Sequence, residues 1–352
     1  MIGESFCETS RVLNFNGNMT RKRFLMKSAM GLLGVSCSSS LIGHRIKLDR
    51  NNNMSVKEID FEVIIIGGSY SGLSAAMTLG RSMRKTLIID AGKPCNRQTP
   101  YSHNFITQDG REPAAIASDA LTQVLAYDTV QIVNDLVKDV NGLDQKFTVY
   151  TQSGKMYTSK KLIFATGVRD IMPDIPGFAQ SWGITVIHCP YCHGYEVRGK
   201  NTGILVNNDT ANEFVQLIKH WTPQVTVFTN GPAHFDYDLL QGSEVPVIEK
   251  AISKIEHHNG HLTSLRFEDG SDQELDALYH RPAFVQHCEI PEKMGCELEE
   301  SGHLKVTPFQ QTNIPGIYAV GDCTTPFRSV ANAVAQGNIG AAMLNHDLIT
   351  ES

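Results

Sequence analysis

Positive charge in excess is the first thing this sequence lacks, since 31 Lys and Arg stand against 37 Asp and Glu for a net charge of −6. Without a basic field there is little to hold a phosphate backbone, so neither DNA nor RNA is an expected partner. Cysteine is sparse too. Its eight copies, at 7, 37, 95, 189, 192, 288, 296 and 323, are too thinly spread for a disulfide-stapled secreted domain, and only Cys189 and Cys192 form a close pair. The apolar run near the start, Met26 to Cys37, is too short to cross a bilayer. What remains, 41% hydrophobic and 19% charged residues, is the composition of an ordinary globular protein. At 352 residues the chain exceeds the size at which one core keeps growing, so two domains are expected.

The opening segment, residues 1–58, differs in character from the rest of the chain. Arg21-Lys22-Arg23 precedes a weak apolar run that ends in small residues, which resembles a twin-arginine export signal. Lys22 splits the arginine pair and Lys27 interrupts the run. The other reading is an unstructured extension or a misassigned start, because Met54 lies just before the first strand. The first reading puts the protein in the periplasm or at a membrane, the second in the cytoplasm.

Organised structure begins at Phe61 to Ile66, a continuous apolar run of the kind a parallel strand needs when helices cover both its faces. Gly67-Gly68-Ser69-Tyr70-Ser71-Gly72 comes at once, then an expected helix over 73–82 and an expected strand over 86–90. In such a β-α-β unit Gly67 permits the tight turn and Gly72 lets helix and strand approach. The helix N-terminus receives a pyrophosphate, and Asp90 stands where a ribose hydroxyl needs an acceptor. Ser69 replaces the middle glycine of the usual fingerprint. Two more apolar segments end in turn residues: Lys161 to Phe164 runs into Ala165-Thr166-Gly167, and Gly316 to Val320 runs into Gly321-Asp322.

The most informative string is Cys189-Pro190-Tyr191-Cys192-His193. Two cysteines at this spacing can close a small disulfide ring and pass an electron pair. Taken alone, the string equally fits a c-type haem attachment site or half of a zinc site.

Taken in order, the glycine loop, Ala-Thr-Gly and Gly-Asp motifs resemble the flavoprotein disulfide reductase superfamily. A C-x-x-C pair in the middle segment narrows the resemblance to the low-molecular-weight thioredoxin reductases, over nearly everything from residue 59 onward. The resemblance implies an α/β fold of two Rossmann-like three-layer domains. The FAD domain, residues 59–172 and 283–352, is interrupted by a central domain, 173–282, of the NADPH-binding type. Gly67, Gly68, Ser69, Ser71, Gly72, Asp90, Thr166, Gly167, Gly321, Asp322 and Gln336 would bind FAD. The helix expected over 329–337 would aim its N-terminus at the flavin. Cys189 would be the interchange thiol, Cys192 the flavin-side thiol, and the protein a homodimer.

Two departures set the expected direction of chemistry. Thioredoxin reductases generally place an acid after the second cysteine, whereas Cys189 to Glu196 here, with His193, looks like the FAD-dependent dithiol oxidases of the gliotoxin and holomycin type. An imidazole accepts a thiol proton near neutrality far better than a carboxylate, so His193 suits a base. The alternative is a histidine that caps the following turn. His188 and His103 are further candidates. Downstream, Val206 and Asn208 stand where an NADPH loop has glycines, and no arginine pair comes after the strand at 225–231. Degeneracy of the NADPH site is therefore expected, with electrons passing from a substrate dithiol to Cys189-Cys192, FAD and oxygen. Two alternatives stand beside this one. The first is a thioredoxin-disulfide reductase using NADPH or another donor, acting on a thioredoxin-like protein in place of a small molecule. The second is a non-catalytic flavin-binding protein. Arg97, Tyr101, His103 and Phe105 are expected in the substrate pocket, at the flavin or in the interdomain seam.

Overall fold

The computed structural model describes residues 59–240 and 244–351, which belong to one compact unit spanning 57–352. The export-signal reading of the N-terminal segment, with Cys7 and Cys37, lies outside the described residues.

The first sheet has seven strands among the described residues. They are β1 (Phe61–Ile66), β2 (Thr86–Asp90), β3 (Val130–Asn134), β4 (Val137–Leu143), β5 (Lys146–Thr151), β6 (Met156–Phe164) and, from the far end of the chain, β17 (Ile317–Ala319). Their order is β3-β2-β1-β6-β5-β4, with β17 also on β6. β1, β2, β3, β6 and β17 are parallel, whereas β4 and β5 form an antiparallel meander with the first half of β6. That pairing explains why β6 begins earlier than the apolar run suggested.

Alternation along β1 assembles the layers. Val63 and Ile65 face a core shared with α1 (Tyr70–Arg81) and α7 (Val330–Thr350), while Ile64 and Ile66 face a core shared with the meander. Val63, Ile64 and Ile65 are fully buried, worth about 1.5–3 kcal/mol apiece. The helix α2 (Pro113–Leu125) leans on α1.

The chain leaves this sheet through β7 (Val168–Asp170) and returns through β16 (Phe284–Gln286), and the two pair as an antiparallel ribbon. Between them lies a second parallel sheet of β8 (Val186–Ile187), β9 (Thr202–Leu205), β10 (Val225–Phe228), β11 (Val247–Ile248) and β15 (Ala277–His280), in the order β11-β10-β9-β15-β8. One face packs on α5 (Ala211–Lys219). The other packs on α3 (Phe178–Ser181) and on a meander of β12 (Ile252–His258), β13 (His261–Phe267) and β14 (Asp272–Glu274). Short helices α4 (Pro190–His193) and α6 (Ile290–Lys293) and a 3-10 helix (Tyr237–Leu240) complete the described elements. The fold is α/β with two Rossmann-like sheets, as the sequence led us to expect.

Candidate active site

A cavity of about 1720 Å3 runs from the glycine loop to the disulfide turn, well beyond the roughly 300–1000 Å3 of an ordinary small-molecule pocket. Gly67, Gly68, Ser69, Ser71 and Asp90 line one end. Gly67 has φ +107, and a Cβ there would strike the Ala165 carbonyl; one on Gly72 would strike the Gly67 carbonyl. The helix α1 starts at Tyr70, three residues before the expected 73, because Ser69 is its extended N-cap. No side chain caps this end and no acid sits in the first turn. Its free amides and positive dipole end are left for an anion. Asp90 accepts from the amides of Gly68 (2.8 Å) and Gly92 (3.1 Å), so it holds the loop as well as facing the cavity.

Gly72, Gly321 and Gln336 stand behind the wall. Gln336 Oε1 accepts from the Gly321 amide at 2.7 Å, and Gly321, at φ +84, lies so close to Ser71 that a Cβ would reach its hydroxyl. Ser329 caps α7 by accepting from the Asn332 amide at 3.1 Å, and Ser329, Val330 and Ala333 line the cavity. This helix runs to Thr350, well past the expected 337.

Thr166, Gly167 and Asp322 line the middle of the cavity. Beside them, Arg328 forks Asp170 at 2.6 and 3.0 Å and approaches Asp322 at 3.7 Å. Sequence reading missed Arg328 and Asp170, which belong to no motif. Burial raises the Asp322 carboxyl, with Arg328 opposing. The Cys95 thiol, 4.0 Å from Asp322, is pushed up to about 11 by desolvation and then by that carboxylate. Burial also raises Cys288. Both thiols stay protonated at neutral pH and are poor nucleophiles.

At the far end Cys189 and Cys192 are joined as a disulfide, with Cα atoms 5.3 Å apart. Local chemistry builds this turn. Cys189 is extended, as a residue before proline prefers, and Pro190 opens α4 at the position where its missing N–H costs nothing. The amides of Cys192 and His193 donate to the Cys189 carbonyl at 3.2 and 3.1 Å. Gly194 closes the turn where a Cβ would meet the Pro190 carbonyl and the Trp221 ring. Cys192 and His193 line the cavity and Cys189 does not.

Burial, and then the charge of His103, pushes His193 down to about 4. His188 is also pushed down to about 4, first by burial and then by Arg328. Its ring stacks on Trp182 at 5.8 Å, and its buried Nε2 has no hydrogen-bond partner. Arg97, Tyr101 and His103 line the cavity, whereas Phe105 does not.

The loop after β9 is tied up by its own side chains. Val206 is buried in the core behind the second sheet. Asn208 Oδ1 accepts from the amide and hydroxyl of Thr210 at 3.0 and 2.7 Å. Asn207 donates to the carbonyls of Thr229 and Pro232 and accepts from the His234 amide. Past β10, Asn230 accepts from the Ile252 amide. Arg281, at the mouth of this sheet, lies over the Phe214 ring at 4.1 Å and meets Glu213 at 3.4 Å.

The cavity fits FAD. The free amides of α1 suit a pyrophosphate, Asp90 keeps lone pairs for a ribose, and the unpartnered His188 Nε2 lies toward the disulfide end.

Comparison with known proteins agrees. Residues 61–337 match the family described as pyridine nucleotide-disulphide oxidoreductase. Thioredoxin reductase sirT of Leptosphaeria maculans is 35% identical over 297 residues, 79% of this chain and 91% of that protein. Thioredoxin reductase tcpT of Claviceps purpurea is 31% identical over 306 residues, 82% and 95% of the respective chains. Among solved structures, an oxidoreductase from Agrobacterium tumefaciens matches with a TM-score of 0.78 at 36% identity, covering 84% of this chain and 100% of that one. The chain therefore belongs to the pyridine nucleotide-disulphide oxidoreductase family, as a flavin-dependent disulfide oxidoreductase of the thioredoxin reductase-like type.

Proposed function

We propose that this protein oxidises a dithiol to a disulfide through Cys189 and Cys192, with FAD as the internal acceptor and oxygen as the final one. The observation that carries this reading is the loop after β9. A pyrophosphate on the second sheet needs close backbone approach, yet Val206 is locked in the core, Asn208 bonds Thr210 within the loop, and Asn207 spends its amide on the segment after β10. Asp209 and Glu213 add negative charge at the same helix end. Arg281 is held by Phe214 and Glu213. NADPH is thus poorly served as a donor, and reducing equivalents enter through the thiols.

The residues around the disulfide suit that direction. Burial, by lowering His193 to about 4, removes the advantage over a carboxylate that the sequence suggested; the ring is still neutral and open to a proton, and gains basicity only from a thiolate formed beside it. The thiolate so formed attacks Cys189, the cysteine outside the cavity wall, and Cys192 leaves as the thiolate on the cavity side. The second substrate thiol then displaces Cys189 and leaves as a disulfide. When bound, FAD supplies a two-electron acceptor that oxygen can reoxidise. Assembly as a homodimer belongs to the same proposal, on the resemblance to thioredoxin reductases.

Anaerobic mixing of the yellow protein with dithiothreitol and, separately, with NADPH tests the reading. Bleaching by the dithiol and not by NADPH is expected, with dithiol-dependent oxygen uptake that needs no nucleotide. Rapid bleaching by NADPH would favour a disulfide reductase, the activity in the names of the fungal relatives.

A further inference from the structure

His188 lines the cavity beside the disulfide, yet the thiol chemistry leaves it without a task. It follows directly on β8, whose Val186 and Ile187 are buried and whose Ile187 pairs with Tyr279 of β15. The carboxyl end of a parallel strand is where doubly wound sheets present groups to ligands. Behind His188 three rings form a stack: Phe178 lies against Trp182 at 5.8 Å and 20°, and Trp182 against His188 at 5.8 Å and 26°. Phe178 and Trp182 are both buried, so the imidazole rests on a rigid backing. The FAD domain braces that backing, because Gly183, at φ +76, lies so close to Thr99 that a Cβ would meet its hydroxyl.

The polar half of this ring is unused. No hydrogen bond joins it to any described residue, and Nε2 is closed off from water besides. Burial, and then the charge of Arg328, keeps the ring neutral at pH 7, so it holds one N–H donor and one lone pair. Leaving a buried donor or acceptor unpaired forfeits its hydration, and native structures rarely do so without a reason. A flat apolar residue would serve the stack equally well. The ring borders the cavity together with Thr166, Gly167, Asp322 and Cys192, whereas Cys189, where a substrate thiol attacks, does not. The group that belongs beside His188 is therefore the cofactor and not the substrate.

We infer that His188 is a ligand of the flavin: its imidazole hydrogen-bonds the polar edge of the flavin ring, and the cofactor supplies the partner that the chain does not. This rests on the FAD reading of the cavity and not on the direction of electron flow. A flavin ring offers what the imidazole needs, carbonyl oxygens and ring nitrogens as acceptors and one ring N–H as donor. The stack on Trp182 and Phe178 fixes the plane of the imidazole. Little is then lost in ordering it, and the bond counts toward cofactor affinity.

The test strips FAD from the wild type, His188→Phe and His188→Gln and titrates it back, reading the dissociation constant and the visible spectrum of the bound flavin. Phe keeps the stack and has no nitrogen, while Gln keeps a donor and an acceptor. His188→Phe is expected to bind FAD about tenfold more weakly, the loss of one hydrogen bond, with a shifted visible band, and His188→Gln to recover most of the affinity. A Phe variant with the wild-type constant and spectrum overturns the inference. So does a loss that Gln shares in full, because packing of the ring would then be what matters. If the larger Phe ring prevents folding, His188→Leu, closer to histidine in volume, takes its place with the same outcomes. Wild-type protein that carries no flavin and takes none up sinks the FAD reading itself. Normal wild-type binding with an unaffected variant sinks this inference alone.

Discussion

His188 and His193 flank the disulfide, and burial holds both imidazoles down to about 4, where an unperturbed histidine titrates near 6.5. Between those values the unfolded chain binds protons that the folded protein refuses. The stability associated with the two rings is therefore complete above about pH 6.5 and is lost as the pH falls toward 4. Urea unfolding at pH 7 and pH 5 should show the midpoint dropping on acidification. His188→Phe keeps the stack on Trp182 and removes one titrating ring, so its midpoint should drop less between the same two pH values. An equal drop would mean that the acid sensitivity arises elsewhere. The same burial fits His193 to catalysis, because a ring that is neutral in the resting protein gains basicity only when a thiolate forms beside it.

At the scale of elements, the turn from β1 into α1 shows how a sequence announces a site. Gly67 is demanded by its positive φ and by the Ala165 carbonyl, and Gly72 by the Gly67 carbonyl, so backbone sterics alone dictate residue type at fixed spacing. Gly72→Ala should push α1 off the strand, cost roughly 1–3 kcal/mol as overpacking, and lower the flavin-to-protein absorbance ratio of the purified protein. Full flavin content with unchanged melting would remove the close approach as the reason for this glycine. The disulfide turn was legible only in company, since Cys189 to His193 taken alone fits a haem or zinc site as well and the motifs around it made the choice. The loop carrying His103 was not. Its strain sits on Thr107, a β-branched residue held at φ 71 that nothing in the sequence marks as left-handed, and Glu196, 3.7 Å from His103, arrives through tertiary packing. Helix ends escape the sequence where capping decides them: Ser69 starts α1 early, and α7 continues far beyond the segment that the Gly-Asp motif implied.

For the whole molecule, the two sheets communicate through the β7/β16 ribbon, and Arg328 fastens that ribbon to the cavity wall. Its guanidinium forks Asp170 at the end of β7 and reaches Asp322 after β17, with Arg328 15%, Asp170 8% and Asp322 19% exposed. A pair this enclosed contributes little beyond its desolvation cost while intact, yet removing one partner strands the other charge, typically at about 3–5 kcal/mol. Arg328→Met should therefore lower the melting temperature sharply. Burial already raises Asp322, and Arg328 is the first influence opposing it. Without the guanidinium, a stranded carboxylate recovers stability by taking a proton as the pH falls. The variant should thus lose less stability than the wild type between pH 7 and pH 5, or even gain some. Arg328→Met combined with Asp170→Asn should recover part of the loss, and the double-mutant cycle measures the coupling. Additive losses would show that Arg328 holds the ribbon by packing and not by charge.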